Sequence, residues 1–317
     1  MGKLRKIFVC IGILVLLAVI ALFGVSLYML DYSLRPGDRG KDMGATLERF
    51  RESYPEMTPW LDSLTANKIL RDTFIVAADG TRLHAFYARH SRQTRRTAVI
   101  VHGYTDNSIS MFNIGYMYNE VLGCNVLLPD LRDAGLSGGD AIQMGWLDRE
   151  DVVEWLDVAP VLFGDSLETV VHGLSMGGAT VMMTSGEELP SHVKCFVEDC
   201  GYTSVWDQFS KMLGELFGLP DFPLMYTASW LCSVQNGWNF REASSVEQVK
   251  KCRKPMLFIH GSADTYVPTW MVYKVYEAKP EPKELWVVPD AEHAVSYLNR
   301  PEEYTEKVKS FLEKYFH

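Results

Sequence analysis

With 317 residues and 47% apolar side chains, the chain is long enough for one large α/β domain and too apolar to be disordered. Its 40 acids against 31 bases give a formal charge of -9. Residues 1–30 hold Lys3, Arg5 and Lys6 and no acid, so the rest is more acidic still, which argues against a nucleic-acid partner.

Residues 7–30 carry no charge over 24 positions, about 36 Å of helix and enough to span a bilayer. The run is too long for the apolar core of a secretory signal and offers no convincing cleavage site. A retained anchor is therefore expected. The basic residues before it predict a cytoplasmic N-terminus with the body on the other side. Residues 31–41, with Pro36, Gly37 and Gly40, read as a polar linker. Residues 44–70 read as two helical pieces broken at Pro55 and Pro59, an N-terminal extension with apolar stripes suited to packing.

From residue 71 the pattern turns to strands. Residues 73–77 and 83–88 flank the hairpin signal Ala78-Asp79-Gly80-Thr81. A buried strand over 97–101 ends in His102-Gly103-Tyr104, a helix over 110–122 follows, and then a strand over 125–128. Helix Asp148–Phe163, strand 169–172, helix 176–189 and strand 193–198 continue the alternation. It resumes after residue 244 with helices over 244–252, 268–278 and 302–316 and strands over 256–259 and 283–288. Strands alternating with helices predict a mostly parallel central sheet with helices on both faces. Functional side chains then belong at the carboxyl ends of the strands.

Residues 204–240 break the rhythm with an aromatic, Met-containing stretch. It reads as a helical cap over the site, and Trp206, Phe209, Met212 and Phe222 are expected to contact substrate. Packing against the sheet is the competing reading. Outside the apolar span the cysteines number five, with no metal-ligand spacing. Buried free thiols are expected, a Cys232–Cys252 disulfide being the alternative.

Gly173-Leu174-Ser175-Met176-Gly177 carries the chemistry. A short apolar strand before it and a helix after it make it a nucleophile elbow, in which a tight turn lifts a serine oxygen above the sheet edge. Gly135-Leu136-Ser137-Gly138-Gly139 has the same spacing without that context, and Ser137 reads as a loop residue. A serine hydroxyl needs a base, and the base a carboxylate to hold its ring. In the order this motif demands, Asp264 follows the strand 256–259 and His293 follows the strand 283–288. Asp199, at the end of the strand after the elbow, is the rival acid. His102, His172 and His260 each precede a glycine at a strand end, where structural hydrogen bonding is expected. The oxyanion needs two backbone donors, expected from Met176, at the start of the helix, and Tyr104.

Taken together, His102-Gly103-Tyr104, the run from Asp130 to Gly139, Gly173 to Gly178, His260-Gly-Ser-Ala-Asp264 and Glu292-His293 resemble the α/β-hydrolase superfamily over about residues 70–317. Within it the chain is similar to membrane-anchored bacterial hydrolases near the monoacylglycerol lipase and serine aminopeptidase-like branch. Leu174 stands where many lipases of that branch carry histidine, and Asp133-Ala134-Gly135 replaces their usual Gly-His-Gly. The resemblance implies a Ser175–His293–Asp264 triad, no metal and no organic cofactor.

The expected architecture is then an anchor over 1–30, a linker and helical extension over 31–70, and a hydrolase domain over 71–317 with a cap at about 204–240. The expected activity is hydrolysis of small or medium acyl esters. A prolyl or aminopeptidase activity is the alternative, for which Glu198, Asp199 or Asp207 would have to receive an amino terminus. An inactive binding protein on the same fold is the third reading, disfavoured because it would have no reason to retain all three residues.

Overall fold

Parallel strands covered on both faces are built from continuous apolar runs, and residues 98–101, 126–128 and 195–197 are of that kind. The computed structural model describes residues 2–316. Its single sheet contains β1 (Arg71–Val76), β2 (Arg82–Ala88), β3 (Arg96–Val101), β4 (Asn125–Pro129), β5 (Glu168–Leu174), β6 (Val193–Asp199), β7 (Met256–Gly261) and β8 (Lys283–Val288). The spatial order is β1-β2-β4-β3-β5-β6-β7-β8. The first two strands pair antiparallel, β2 pairs antiparallel with β4, and every later pairing is parallel.

The helices are α1 (Gly2–Leu34), α2 (Met43–Ser53), α3 (Thr58–Ala66), α4 (Phe112–Tyr116), α5 (Asp148–Phe163) and α6 (Met176–Thr184). After β6 come α7 (Val205–Phe217), α8 (Leu224–Asn236), α9 (Ser245–Val249), α10 (Trp270–Ala278), α11 (Ser296–Asn299) and α12 (Pro301–Leu312). The two-residue period of a strand splits the core into two layers. Val99, Val101, Val171, Phe196 and Phe258 face α5–α10 and the end of α1. Their neighbours Ala98, Ile100, Val170, Val197 and Ile259 face α2–α4, α11 and α12.

The chain runs outward to β4 after β3 and then back past it to β5, so the strand order reverses between those two connections. A crevice opens at the carboxyl ends of β3 and β5, where such sheets place ligands. Tyr104 follows the first of these strands and Ser175 the second.

Three elements differ from the sequence reading. The helix expected over 110–122 is a 3-10 turn at Ser108–Met111, then α4, then a π turn at Met117–Val121. That irregularity sets Tyr118 against the ring of His172 and Asn119 against the carbonyl of Cys124. Helix α6 stops at Thr184 rather than 189 because the chain turns at Gly186, where any Cβ would meet Gln248. Residues 31–34, read as linker, prolong α1. Leu34 is fully buried and its carbonyl accepts from Ile142 at 2.8 Å. Gly40 is fastened in the same way, its carbonyl accepting from Gly135 and from the Asn107 amide. All six cysteines are free.

Candidate active site

Ser175 sits at the turn between β5 and α6 with φ 58° and ψ -116°, a conformation costly for any residue with a side chain. Packing holds it there. A Cβ on Gly173 would overlap the Gly177 carbonyl, and one on Gly177 would overlap the Val101 carbonyl. At Gly178 a Cβ would come within 2.8 Å of the Asp199 carbonyl, so helix, turn and neighbouring strands close on bare backbone. The Ser175 amide donates to the Asp199 carbonyl at 2.8 Å, which ties the strained residue to β6.

From the serine a hydrogen-bonded relay runs inward. Ser175 Oγ lies 2.8 Å from His293 Nε2, and His293 Nδ1 lies 2.7 Å from Asp264 Oδ2. Asp264 Oδ1 accepts from the amides of Tyr266 and Val267, each at 2.9 Å. Burial disfavours the charge on Asp264, but hydrogen bonds from His260, His293 and the Val267 amide outweigh it and hold the carboxyl down at about 2. A permanent carboxylate therefore faces Nδ1, leaving Nε2 free to take a proton.

Behind this relay lies a second, fully buried acid pair. Desolvation pushes Glu198 up to about 8 and Asp199 up to about 6. Asp199, the rival acid, accepts at Oδ2 from the Tyr304 phenol at 3.0 Å and makes no hydrogen bond to His293. His172 links the Tyr118 and Tyr304 hydroxyls, each at 3.0 Å, and burial lowers it to about 3, so it is neutral. His102 accepts from the Leu131 amide through Nε2 and meets the Gly103 carbonyl through Nδ1, fixing the loop beside Ser175. His260 meets the Val267 carbonyl at 2.8 Å, bracing the loop that carries Asp264. Ser137, from the second G-x-S-x-G, only joins the His84 amide to the Asp130 carbonyl.

Ser175 opens into a cavity of about 450 Å³. Met176 and Tyr104 line it, and Gly103 abuts the serine closely enough that an added Cβ would lie 3.6 Å from the Ser175 Cβ. Phe209 and Met212 line it as well. Trp206 and Phe222 do not. The Trp206 indole is buried beneath Tyr226 and the Arg241 guanidinium, whereas Phe222 lies on the α7–α8 connection, 73% exposed.

Sequence reasoning missed several lining residues. Tyr266 places its ring 4.8 Å from that of His293, and Tyr202 and Gln208 complete the floor. More unexpectedly, Met29, Leu30, Tyr32 and Ser33 of α1 form one wall. The signal was the spacing of Leu22, Ser26, Leu30 and Leu34, one face of a helix, but it was hidden in a uniformly apolar run.

Among the described residues, one cluster of potential metal ligands occurs, with atoms of Cys200, Asp264 and His293 within 4.8 Å of one another. Both ring nitrogens of His293 are already engaged, so a cation there would have to break the relay.

The profile of the prolyl oligopeptidase family matches residues 142–317, which include Ser175, Asp264 and His293. YqkD of Bacillus subtilis is 30% identical over 220 residues, covering 69% of this chain and 72% of its own. The alpha/beta hydrolase domain-containing protein WAV2 of Arabidopsis thaliana is 25% identical over 275 residues, covering 83% of each chain. The Pyrococcus furiosus esterase Pf2001 shares the fold with a TM-score of 0.64 at 24% identity, covering 78% of this chain and 92% of its own. Est1E of Butyrivibrio proteoclasticus, solved with ferulic acid bound, gives 0.59 at 20% identity over 77% and 98%. With a sheet, an elbow and a family match that agree, the chain belongs to the prolyl oligopeptidase family and is a serine hydrolase of the α/β-hydrolase superfamily.

Proposed function

We propose that this serine hydrolase is a membrane-anchored carboxylesterase acting on small or medium acyl esters. Ser175 Oγ attacks the ester carbonyl while His293 Nε2 takes its proton. The amides of Met176 and Tyr104 receive the developing oxyanion. Collapse expels the alcohol, which takes the proton from Nε2 and leaves an acyl-serine. Water then attacks with the same base, releasing the acid and restoring the hydroxyl. Asp264 keeps the proton on Nδ1 and stabilises the imidazolium that forms in each half. The carrying observation is the unbroken serine–imidazole–carboxylate relay opening onto a largely apolar cavity of ligand size.

The family match raises a peptidase as the second reading, and the cavity chemistry disfavours the aminopeptidase form. Glu198 and Asp199 are buried behind the relay, and Asp207 is engaged by Thr203 and Lys274. Among the described lining residues the only charged side chain is Arg39, a cation that would repel an ammonium group. The esterases among the structural relatives lend the ester reading support by analogy.

The 33-residue α1 is long and apolar enough to cross a bilayer. We place Lys3, Arg5 and Lys6 on the cytoplasmic side and the hydrolase body on the other. Fluorophosphonate labelling of wild type, lost in Ser175→Ala, tests the nucleophile. Hydrolysis of p-nitrophenyl esters but not aminoacyl-anilides tests the substrate class. Well-folded wild type that neither labels nor cleaves esters would refute the proposal.

A further inference from the structure

Helix α1 has two regimes. Through Ala21 its residues are exposed. From Leu22 one stripe turns into the domain: Leu22 is half-buried, and Ser26, Leu30 and Leu34 are buried at four-residue intervals. Crossing a hydrocarbon core takes about 20 residues, which counted from Ile7 end at Ser26. Phe23 falls inside that length, and its ring meets Trp230 of α8 edge-on at 5.9 Å. A residue of the hydrolase body thus lies beside the membrane-spanning part of the anchor.

Helix α8 is suited to that depth. No charged residue occurs from Phe222 to Phe240, 19 consecutive positions, so the exposed side of α8 carries none. Tyr226, Trp230 and Val234 recur at four-residue spacing and are 50%, 54% and 65% exposed. Phe222, edge-on to Tyr226, extends the same surface. A water-facing helix carries charges on its outer side, whereas Trp and Tyr beside an apolar stripe are what a membrane interface selects. The cavity is walled by Met29 and Leu30 of α1 on one side and by Leu224, Met225 and Ala228 of α8 on another.

Resting on the ester reading above and extending it to longer acyl chains, we propose that the apolar face of α8 is immersed in the leaflet on the domain's side, and that the substrate is a bilayer-resident acyl ester. Its chain passes from the leaflet into the cavity between α1 and α8, bringing the ester carbonyl to Ser175. The occupant of the exposed face is lipid, because the face meets α1 at Phe23–Trp230 and continues that helix's own exposed apolar side. The anchor is then part of the substrate site rather than a tether.

The test uses the full chain reconstituted in dioleoylphosphatidylcholine vesicles and two esters with one leaving group. These are water-soluble p-nitrophenyl butyrate and p-nitrophenyl palmitate held in the same vesicles. Val234→Glu, an exposed position off the cavity, should cut palmitate hydrolysis by about tenfold and leave butyrate hydrolysis unchanged. Trp230→Ser should do the same. Equal losses on both esters, or none on either, would overturn the proposal. Quenching by brominated phosphatidylcholine gives a readout independent of catalysis. Wild-type tryptophan fluorescence should be quenched more than that of Trp230→Phe, and equal quenching would also overturn it. A second copy covering this face would appear as cross-linking through Val234→Cys without lipid quenching, and that result would overturn it too. Absence of butyrate hydrolysis in wild type, with lipid quenching intact, would instead sink the ester reading and leave the immersed face standing.

Discussion

The Tyr104 phenol donates to the main-chain carbonyl of Ser33 at 2.8 Å, joining the loop after β3 to the last turn of α1. Burial pushes this phenol up to about 12, so it stays a donor throughout the working pH range. A residue proposed to hold the oxyanion through its amide is thus held in place by α1 through its side chain. The Ser33 carbonyl is one of the four that a helix leaves unpaired at its end.

Tyr104→Phe should therefore cost about 1 kcal/mol of stability, the net worth of one such hydrogen bond. A reduced Tm measured on the full chain in detergent, with ester turnover lowered more than substrate affinity, is the expected result. An unchanged Tm would mean the bond contributes nothing.

Asp264→Asn replaces a carboxylate that holds one tautomer with an amide that can hold either. If the relay works as proposed, kcat falls by about four orders of magnitude. KM for p-nitrophenyl butyrate should barely move, because Asp264 does not line the cavity. A loss of tenfold or less, about 1.4 kcal/mol, would point to another orienting acid.

Gly177→Ala places a methyl group against the Val101 carbonyl and 2.7 Å from the His102 carbonyl. Neither neighbour is a flexible side-chain end that can swing aside. The substitution should destabilise the fold by ~2 kcal/mol or more and remove fluorophosphonate reactivity. Normal labelling at wild-type Tm would show that the elbow has more slack than its packing indicates.

Glu198 governs a pH effect with a definite sign. Its folded value of about 8 lies above the ordinary 4.5, so the unfolded chain releases its proton first as pH rises. The stability it contributes is complete below about 4.5 and is lost as pH climbs to about 8. Asp199 at about 6 and Asp148 at about 7 act in the same direction. Glu198→Gln stays neutral and retains an oxygen for the Gly201 amide, which the wild-type carboxyl holds at 3.0 Å. The Tm of the variant relative to wild type should rise across this window and level off above it. Calorimetry from mildly acidic to alkaline pH checks this, and a constant difference would contradict it.

The elbow was legible because everything that makes it is local: a strand, three small residues and a helix within a dozen positions. The order of Ser175, Asp264 and His293 was legible too, since strand ends can be counted along the chain. Asp264 was favoured over Asp199 from the sequence as well, but without a geometric reason. Both follow strands, and only the packed sheet turns the Asp199 carboxyl toward Tyr304 and the Asp264 carboxyl toward His293. The aromatic stretch was recognised by composition, which does not reveal direction, so Phe209 faces the cavity and Phe222 the outside.

The amino-acid sequence by itself determined the parallel α/β architecture, the strained serine turn and the length of the apolar helix, because each depends on periodicity or spacing along the chain. Only the tertiary structure decided where each carboxylate points, which aromatic rings wall the cavity, and that α1 is one of those walls. The reason is geometric. An uninterrupted apolar helix satisfies lipid and protein equally well, and which side it turns to each is settled only by the surface packed against it.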